Sequence, residues 1–249
     1  MRALRRALGV ASRRLERPEL LYAFDAYTRM EQRDALGIAA VLAATLHGDS
    51  TYVDVGSNRG QVLSEAVRVA PGASQIAFEP IPALAAGLRG RFPGVDCREM
   101  AVGAEPAVAQ FCHFKSLDGW SGLRRSPEIS DEQGQPELID VEVSTLDIQL
   151  EDLTPSVIKI DVEGAELDVL RGGRALLARA HPLLIFEHVP QAARLYGAAS
   201  AEIWELLEEL GYRIFAVTGE GPFDRSSFAE ATHVNWLARP EAADQSISE

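Results

Sequence analysis

The strongest constraint in this chain is a series of short apolar runs separated by stretches of helical periodicity. Thr51–Val55 (TYVDV), Gln75–Phe78 (QIAF), Val95–Val102, Val157–Asp161 (VIKID), Leu183–Glu187 (LLIFE), Tyr212–Val217 and Val234–Ala238 read as strands. Most are apolar throughout rather than alternating, the pattern of strands covered on both faces. Helical periodicity fills Gln61–Ala70, Pro82–Arg91, Ala165–Ala178 and Ala201–Leu210, and Glu31–Leu46 forms one more amphipathic helix ahead of the first strand. Strands alternating with helices of this length require crossover connections. The expected fold is an α/β three-layer sandwich around a mostly parallel sheet.

One stretch breaks the rhythm. Between Val102 and Val157 no strong helix is legible, while Ala107–Phe114 and Ile139–Ser144 alternate as exposed strands do. A polar loop, Lys115–Gln135, separates them. We read residues 103–156 as a β-hairpin-like insertion, either decorative or a wall of the acceptor pocket, because long loops inside compact domains are usually functional or disordered. The expected organisation is an N-terminal helical arm over residues 1–48, a main domain over 49–240 and a frayed tail over 241–249.

Charge and composition exclude several classes. Of 249 residues, 47% are hydrophobic, and 24 Lys and Arg face 37 Asp and Glu, a net charge of −13. That balance suits an ordinary globular domain and opposes a general nucleic-acid binder, which needs a basic face. No apolar run reaches the roughly 18 residues of a membrane span. The basic start, MRALRRALGVASRRLERPEL, lacks the apolar core of a secretory signal, so a cytoplasmic location is expected. Cys97 and Cys112 are too few for a disulfide framework, and reduced thiols are expected. The first 33 residues nevertheless carry eight Arg against four acids, with Leu4, Leu8, Ala11 and Leu15 at helical spacing. A helix docked by that leucine stripe is favoured over one lying on a membrane, since aromatic anchors are missing.

The segment Val53–Gly60, VDVGSNRG, leaves a buried strand and opens a helix, where open parallel sheets bind ligands. Gly56 and Gly60 let the backbone turn and approach a ligand closely. Nineteen residues after Gly60, Glu79 closes the second strand, where a carboxylate can take both hydroxyls of a ribose. A dinucleotide site would show G-x-G-x-x-G so that amides can hold a pyrophosphate. Here the spacing is Gly-x-x-x-Gly, and Asp54 adds a negative charge that repels pyrophosphate but suits an ammonium or a sulfonium. S-adenosylmethionine carries adenosine, both of those cations and no phosphate.

These residues, with others, resemble the FkbM family of S-adenosylmethionine-dependent methyltransferases. The matching blocks are VDVGSNRG (53–60), AFEPIP (77–82), AVG (101–103), STLD (144–147), IKIDVEGAELDVLRGG (158–173), IFEH (185–188), LGY (210–212) and NWL (235–237). The resemblance implies the class I (Rossmann-like) methyltransferase fold, with seven strands of which the last is antiparallel. It further implies O-methylation of a small-molecule hydroxyl, often on a sugar or natural-product scaffold, with S-adenosylhomocysteine as product. By the same resemblance Asp54, Gly56, Asn58 and Gly60 contact the methionine end of the cofactor. Glu79, with Pro80 beside it, binds the ribose; Ala101 and Val102 lie near adenine through their backbone; Asp161 reaches the transfer centre. Ser57, where Ala is common, and Trp120-Ser121-Gly122-Leu123, where Ser-Ser-Leu is usual, depart from the pattern.

An alcohol is a poor nucleophile until a base takes its proton. Asp161, Glu163, Glu187 and His188 fall at neighbouring strand ends. His188 titrates nearest neutrality and is the first choice of base, with Asp161 or Glu187 orienting it. Its alternative role is to cap the strand or bond to backbone. Lys159 reads as an ion-pair partner of Asp161 or another acid, and Glu163 as the acid that opens the next helix. The clustered carboxylates could hold a divalent metal, but no spacing is a metal signature, and a metal-free site is the favoured reading. His113, in the insertion, reads as a solvated loop histidine rather than one facing the acceptor, His47 and His181 as surface or capping residues, Cys97 and Cys112 as inert thiols, and Trp204 as core. Trp120 and Tyr196 are candidate walls of the acceptor pocket. Partners beyond the small-molecule acceptor are not expected, and an oligomer stays open. Two other classes remain: a nicotinamide-dependent oxidoreductase or epimerase, and a non-catalytic protein that keeps the cofactor fold.

Overall fold

The computed structural model describes residues 18–115, 121–124 and 135–241, with side chains from Arg29 onward. The leucine stripe of the N-terminal arm, Trp120, most of the polar loop and the 242–249 tail lie outside the described residues. A long helix α1 (Pro18–Thr45) opens with proline in its first turn, where a missing N–H is harmless. It leads into β1 (Thr51–Val55), α2 (Gln61–Val69), β2 (Ser74–Phe78), α3 (Pro82–Arg91) and β3 (Asp96–Arg98). A second group of elements follows: β4 (Ala101–Val102), β5 (Ala107–His113), β6 (Glu137–Ser144) and the short α4 (Leu146–Gln149). The chain then forms β7 (Val157–Ile160), α5 (Glu166–Gly172), α6 (Arg174–Ala180), β8 (Leu183–Glu187) and α7 (Pro190–Ala193). It ends with α8 (Ser200–Glu209), β9 (Tyr212–Ala216), α9 (Arg225–Glu230) and β10 (Asn235–Pro240).

Seven strands form one sheet in the order β3-β2-β1-β7-β8-β10-β9, in which β10 alone runs against the direction of the other six. This is the class I methyltransferase architecture, with its antiparallel last strand. Strand alternation sorts side chains between two faces. Tyr52, Ala77, Val157, Ile185 and Leu237 pack with Ile38 and Leu42 of α1, Leu63 of α2 and Leu88 of α3. Val53, Val55, Ile158, Ile160 and Phe186 turn the other way, onto Leu167, Leu170, Leu177, Ile203 and Leu207 of α5, α6 and α8. Both faces are therefore closed. No helix among the described residues is long and apolar enough to cross a membrane.

Three boundaries differ from the sequence reading. The expected strand Val95–Val102 divides, because β3 pairs with β2 while β4 leaves the main sheet and pairs in parallel with β6. The expected helix Ala165–Ala178 breaks into α5 and α6 at Gly172-Gly173. Gly172 lies so close to the Gly103 carbonyl that a Cβ there would stand 2.0 Å from its oxygen, so the insertion reaches the sandwich through this gap. Between Val102 and Val157, where no helix was legible, Thr145 caps the short α4 by accepting from the Ile148 N–H at 3.2 Å.

The insertion is a three-stranded sheet, β4-β6-β5, with β5 and β6 antiparallel from Ala107↔Val143 to His113↔Glu137. Its Ala101, Phe111, Val141 and Val143 pack on Ile81, just past the end of β2. Asp147 holds the insertion to the main body by accepting from the Ala175 N–H (3.1 Å) and Leu176 N–H (2.7 Å), two otherwise orphaned amides of the first turn of α6. Replacing Asp147 with Ala removes that cap and should cost about 1 kcal/mol. Urea unfolding would show a lower midpoint at constant slope; an unchanged midpoint would mean that the α6 amides do not depend on Asp147.

Candidate active site

The chain runs outward from β1 to β3, then returns to the other side of β1 as β7. The order reverses between β1 and β7, and open α/β sheets bind ligands at such a reversal, beyond the carboxyl ends of the strands. The glycine loop closes over this crevice. Gly56 has φ 76°, and a Cβ on it would stand 1.9 Å from the Asp161 carbonyl oxygen, so no larger residue fits. Asn58 (φ 48°) and Gly60 (φ 71°) continue the left-handed turn into α2. Asn58 Oδ1 accepts from the Arg59 N–H at 2.7 Å.

Glu79 ties the end of β2 to this loop. Its Oε2 accepts from the Asn58 N–H at 2.7 Å, and its Oε1 from the Ile81 N–H at 2.9 Å. Burial pushes its carboxyl up to about 7, against those two amides and the charge of Lys159, which favour the ionised form. Pro80 is half-buried beside it. Ala101 and Val102 are buried in β4, their backbone paired to Val143 and Ser144, and Ala101 shares a cluster with Ile81 next to Glu79.

Period-2 alternation sends Asp54, Lys159, Asp161 and Glu187 to the same face of the sheet, under α1 and α2. Asp54 and Lys159 are direct partners across β1 and β7. The Lys159 ammonium is 3.0 Å from Asp161 Oδ2, 3.6 Å from Asp54 Oδ1 and 3.4 Å from the Gly56 carbonyl oxygen. The ion pair expected of Lys159 is thus present, and it reaches a second acid as well. Asp54 is 1% exposed, and neither of its oxygens has a hydrogen-bond partner. Burial raises its pKa and Lys159 opposes that rise. Burial also works to raise Asp161, but Lys159 and a hydrogen bond from Glu187 hold it below the usual range. Glu187 is pushed well up by burial and by the charge of Asp161, so it keeps the proton of that bond.

Glu163 joins this pair. As its place at a strand end suggested, it lies with Asp161 and Glu187, and carboxylate oxygens of the three lie within 4.8 Å of one another; it does not open the next helix but sits in the turn after β7 with φ 56°. Its carboxyl is raised to about 9 by burial and by the charges of Asp161 and Glu166. Tyr196 stands over the turn: its hydroxyl accepts from the Arg124 N–H at 3.1 Å, and Gly122 of the insertion packs between it and Glu163.

His188 is not among these groups. Glu187 shares the face of Leu183 and Ile185, so the next side chain turns to the opposite face with Leu184 and Phe186. There His188 is 2% exposed, its Nε2 is 2.8 Å from Ser200 Oγ, and its ring stacks on Phe228 at 5.4 Å. The expected pairing with Asp161 or Glu187 is replaced by these contacts, because the strand alternates. His113, expected on a solvated loop, is buried at the end of β5 near Glu137. Trp204 packs on the core, and its indole N–H donates to the Phe223 carbonyl.

The Methyltransferase FkbM domain family matches this chain over residues 54–214, from the acid inside β1 to the middle of β9. The chain belongs to the FkbM methyltransferase family. It is 28% identical over 161 residues to Methyltransferase sdnD of Sordaria araneosa, an overlap of 52% of this chain. That overlap spans 62% of the fungal protein, less than two thirds of its length. Among solved structures, the FkbM methyltransferase of Methylobacillus flagellatus KT is 18% identical, with a TM-score of 0.49 over 78% of this chain and 44% of that one. A TehB-like SAM-dependent methyltransferase of Corynebacterium glutamicum is 12% identical, with a TM-score of 0.48 over 89% of this chain and 98% of that one.

Burial of His188 makes a separate prediction for this FkbM-family chain. Desolvation lowers its pKa to about 4, against 6.5 for a free imidazole. Above pH 6.5 both folded and unfolded chains hold it neutral; as the pH falls toward 4 only the unfolded chain takes up the proton. Stability is lost over that window, by roughly 3 kcal/mol at 1.36 kcal/mol per unit. In His188→Asn the urea midpoint should fall less steeply between pH 6.5 and 4, and equal slopes in the two proteins would refute this.

Proposed function

We propose that this protein transfers the methyl group of S-adenosylmethionine to a hydroxyl of a small molecule, releasing S-adenosylhomocysteine. The observation that carries this reading is the acid-lined crevice between β1 and β7, where the glycine loop meets Asp161 and buried Asp54 holds two oxygens without hydrogen-bond partners. Such a crevice repels a pyrophosphate and suits a ligand with an ammonium and a sulfonium. Family membership and the name of the fungal relative support the same reading.

S-adenosylmethionine supplies an electrophilic methyl group on its sulfonium. Asp54 and the loop Gly56–Gly60 would hold the methionine end, with Lys159 fixing Asp54 in place. Glu79 would bind the ribose hydroxyls, Pro80 would lie alongside, and Ala101 and Val102 would border the adenine. Asp161 is the base of this reading: it stays ionised beside Lys159 and takes the proton of the acceptor hydroxyl as its oxygen attacks. Glu187 keeps Asp161 oriented by donating to it. Gly122, Arg124 and Tyr196 form the acceptor wall over the turn that carries Glu163. Positioning of the acceptor at this edge can contribute several kcal/mol, and base catalysis roughly 10²–10⁴-fold.

Calorimetric titration should show S-adenosylhomocysteine binding and no NAD⁺ binding. Asp54→Ala and Glu79→Ala should each weaken the first by ten- to a hundredfold, the range of a lost charged hydrogen bond of about 1.5–3 kcal/mol. Binding of NAD⁺ alone would favour the oxidoreductase class. Asp161→Asn should bind S-adenosylhomocysteine within a few-fold of the parent yet lose at least a hundredfold in turnover. Full turnover in that variant would remove Asp161 as the base, whereas cofactor binding without turnover on any hydroxyl acceptor would favour the non-catalytic class.

A further inference from the structure

We propose that Asp161, Glu163 and Glu187 bind one hard divalent cation, Mg²⁺ or Mn²⁺, on the acceptor side of the crevice. Its catalytic role rests on the methyltransferase reading above; its binding does not. The three carboxylates come from the ends of β7 and β8 and the turn after β7, so no spacing in the sequence announces them. Each is partly exposed, and each brings one oxygen to within 4.8 Å of the others. A donor set made only of carboxylate oxygens suits Mg²⁺, Mn²⁺ or Ca²⁺ rather than zinc or copper. The imidazole that would change this, His188, faces away from them.

A second observation comes from Glu166, which is 1% exposed. Its Oε1 accepts from the N–H groups of Val162 (3.2 Å) and Gly164 (3.0 Å), the two amides that flank Glu163. The carboxylate is therefore aimed into the turn that carries the cluster. Its Oε2 is buried without any partner. An unpartnered buried carboxylate oxygen is costly, and a cation or a water held by one would satisfy it. The Lys159 ammonium is engaged by Asp161 and Asp54, and no ion pair among the described residues reaches Glu163, Glu166 or Glu187. A divalent ion bound there would displace the proton that Glu187 shares with Asp161, take the acceptor oxygen as a ligand and ease loss of its proton.

The test is Mn²⁺ binding to the full chain, followed by the electron spin resonance signal of free Mn²⁺, in the presence of S-adenosylhomocysteine. We expect one Mn²⁺ per chain, bound at least tenfold more weakly by Glu163→Gln. Glu163 lies on a partly exposed turn, and the variant should bind S-adenosylhomocysteine within twofold of the parent, which also reports that it folds. Saturating Mn²⁺ should raise the melting temperature of the parent and leave that of Glu163→Gln unchanged. Normal S-adenosylhomocysteine binding without stoichiometric Mn²⁺, or equal Mn²⁺ affinity in parent and variant, would overturn the cation site alone. Loss of S-adenosylhomocysteine binding with the Mn²⁺ behaviour intact would overturn the cofactor reading and leave the cation site standing.

Discussion

The Lys159 ammonium, 6% exposed in a central strand, is the interaction on which the site depends. Taking such a charge out of water costs several kcal/mol unless partners surround it. Those partners are Asp161, Asp54 and the Gly56 carbonyl, one just past the end of its own strand, one from the neighbouring strand and one from the glycine loop. Satisfying one buried charge therefore fixes the strand end, the loop and the spacing of two acids together. Asp54 serves the proposed cofactor and Asp161 the acceptor, so a single side chain holds the two halves of the reaction in register.

The layout of the sheet was legible because its cause is local. Apolar runs such as TYVDV and LLIFE need cover on both sides, and their spacing leaves room for one helix each. The glycine loop was legible because Gly56 answers a steric demand, the Asp161 carbonyl lying where a Cβ would be. Where tertiary contact decides, the reading went astray. Val95–Val102 looks continuous, yet Ala101 and Val102 find their partner in β6, about forty residues later. The helix after β7 looks unbroken, yet Gly172 yields to the Gly103 backbone.

His188 shows a subtler limit. Adjacent strand residues always face opposite ways, so Glu187 and His188 could not both point at Asp161. The sequence LLIFEH is apolar on both parities and does not say which face holds the site; β7 supplies that answer, since Lys159 and Asp161 pair on the face of Asp54. Glu163 was placed with Asp161 and Glu187 at the strand ends, and what the reading as a helix-opening acid missed was its direction. A residue at positive φ turns its side chain where neither a strand nor a helix would send it, and nothing in VEGAE marks Glu163 as that residue. In the STLD block, Thr145 and Asp147 cap α4 and α6 and fasten the insertion.

Electrostatics then accounts for the division of the site. At the glycine loop, burial raises Asp54 and Lys159 opposes that rise, while Glu79 spends its oxygens on the amides of Asn58 and Ile81. Beyond β7, Asp161 shares Lys159, while no ion pair among the described residues reaches Glu163, Glu166 or Glu187. Burial alone would drive these acids toward their neutral forms, which cost little and bind nothing charged. A fold that needed only neutral polar groups there could use amides or hydroxyls instead. Placing carboxyls at two strand ends and in a turn with positive φ suits the proposed sulfonium on one side and the proposed divalent cation on the other.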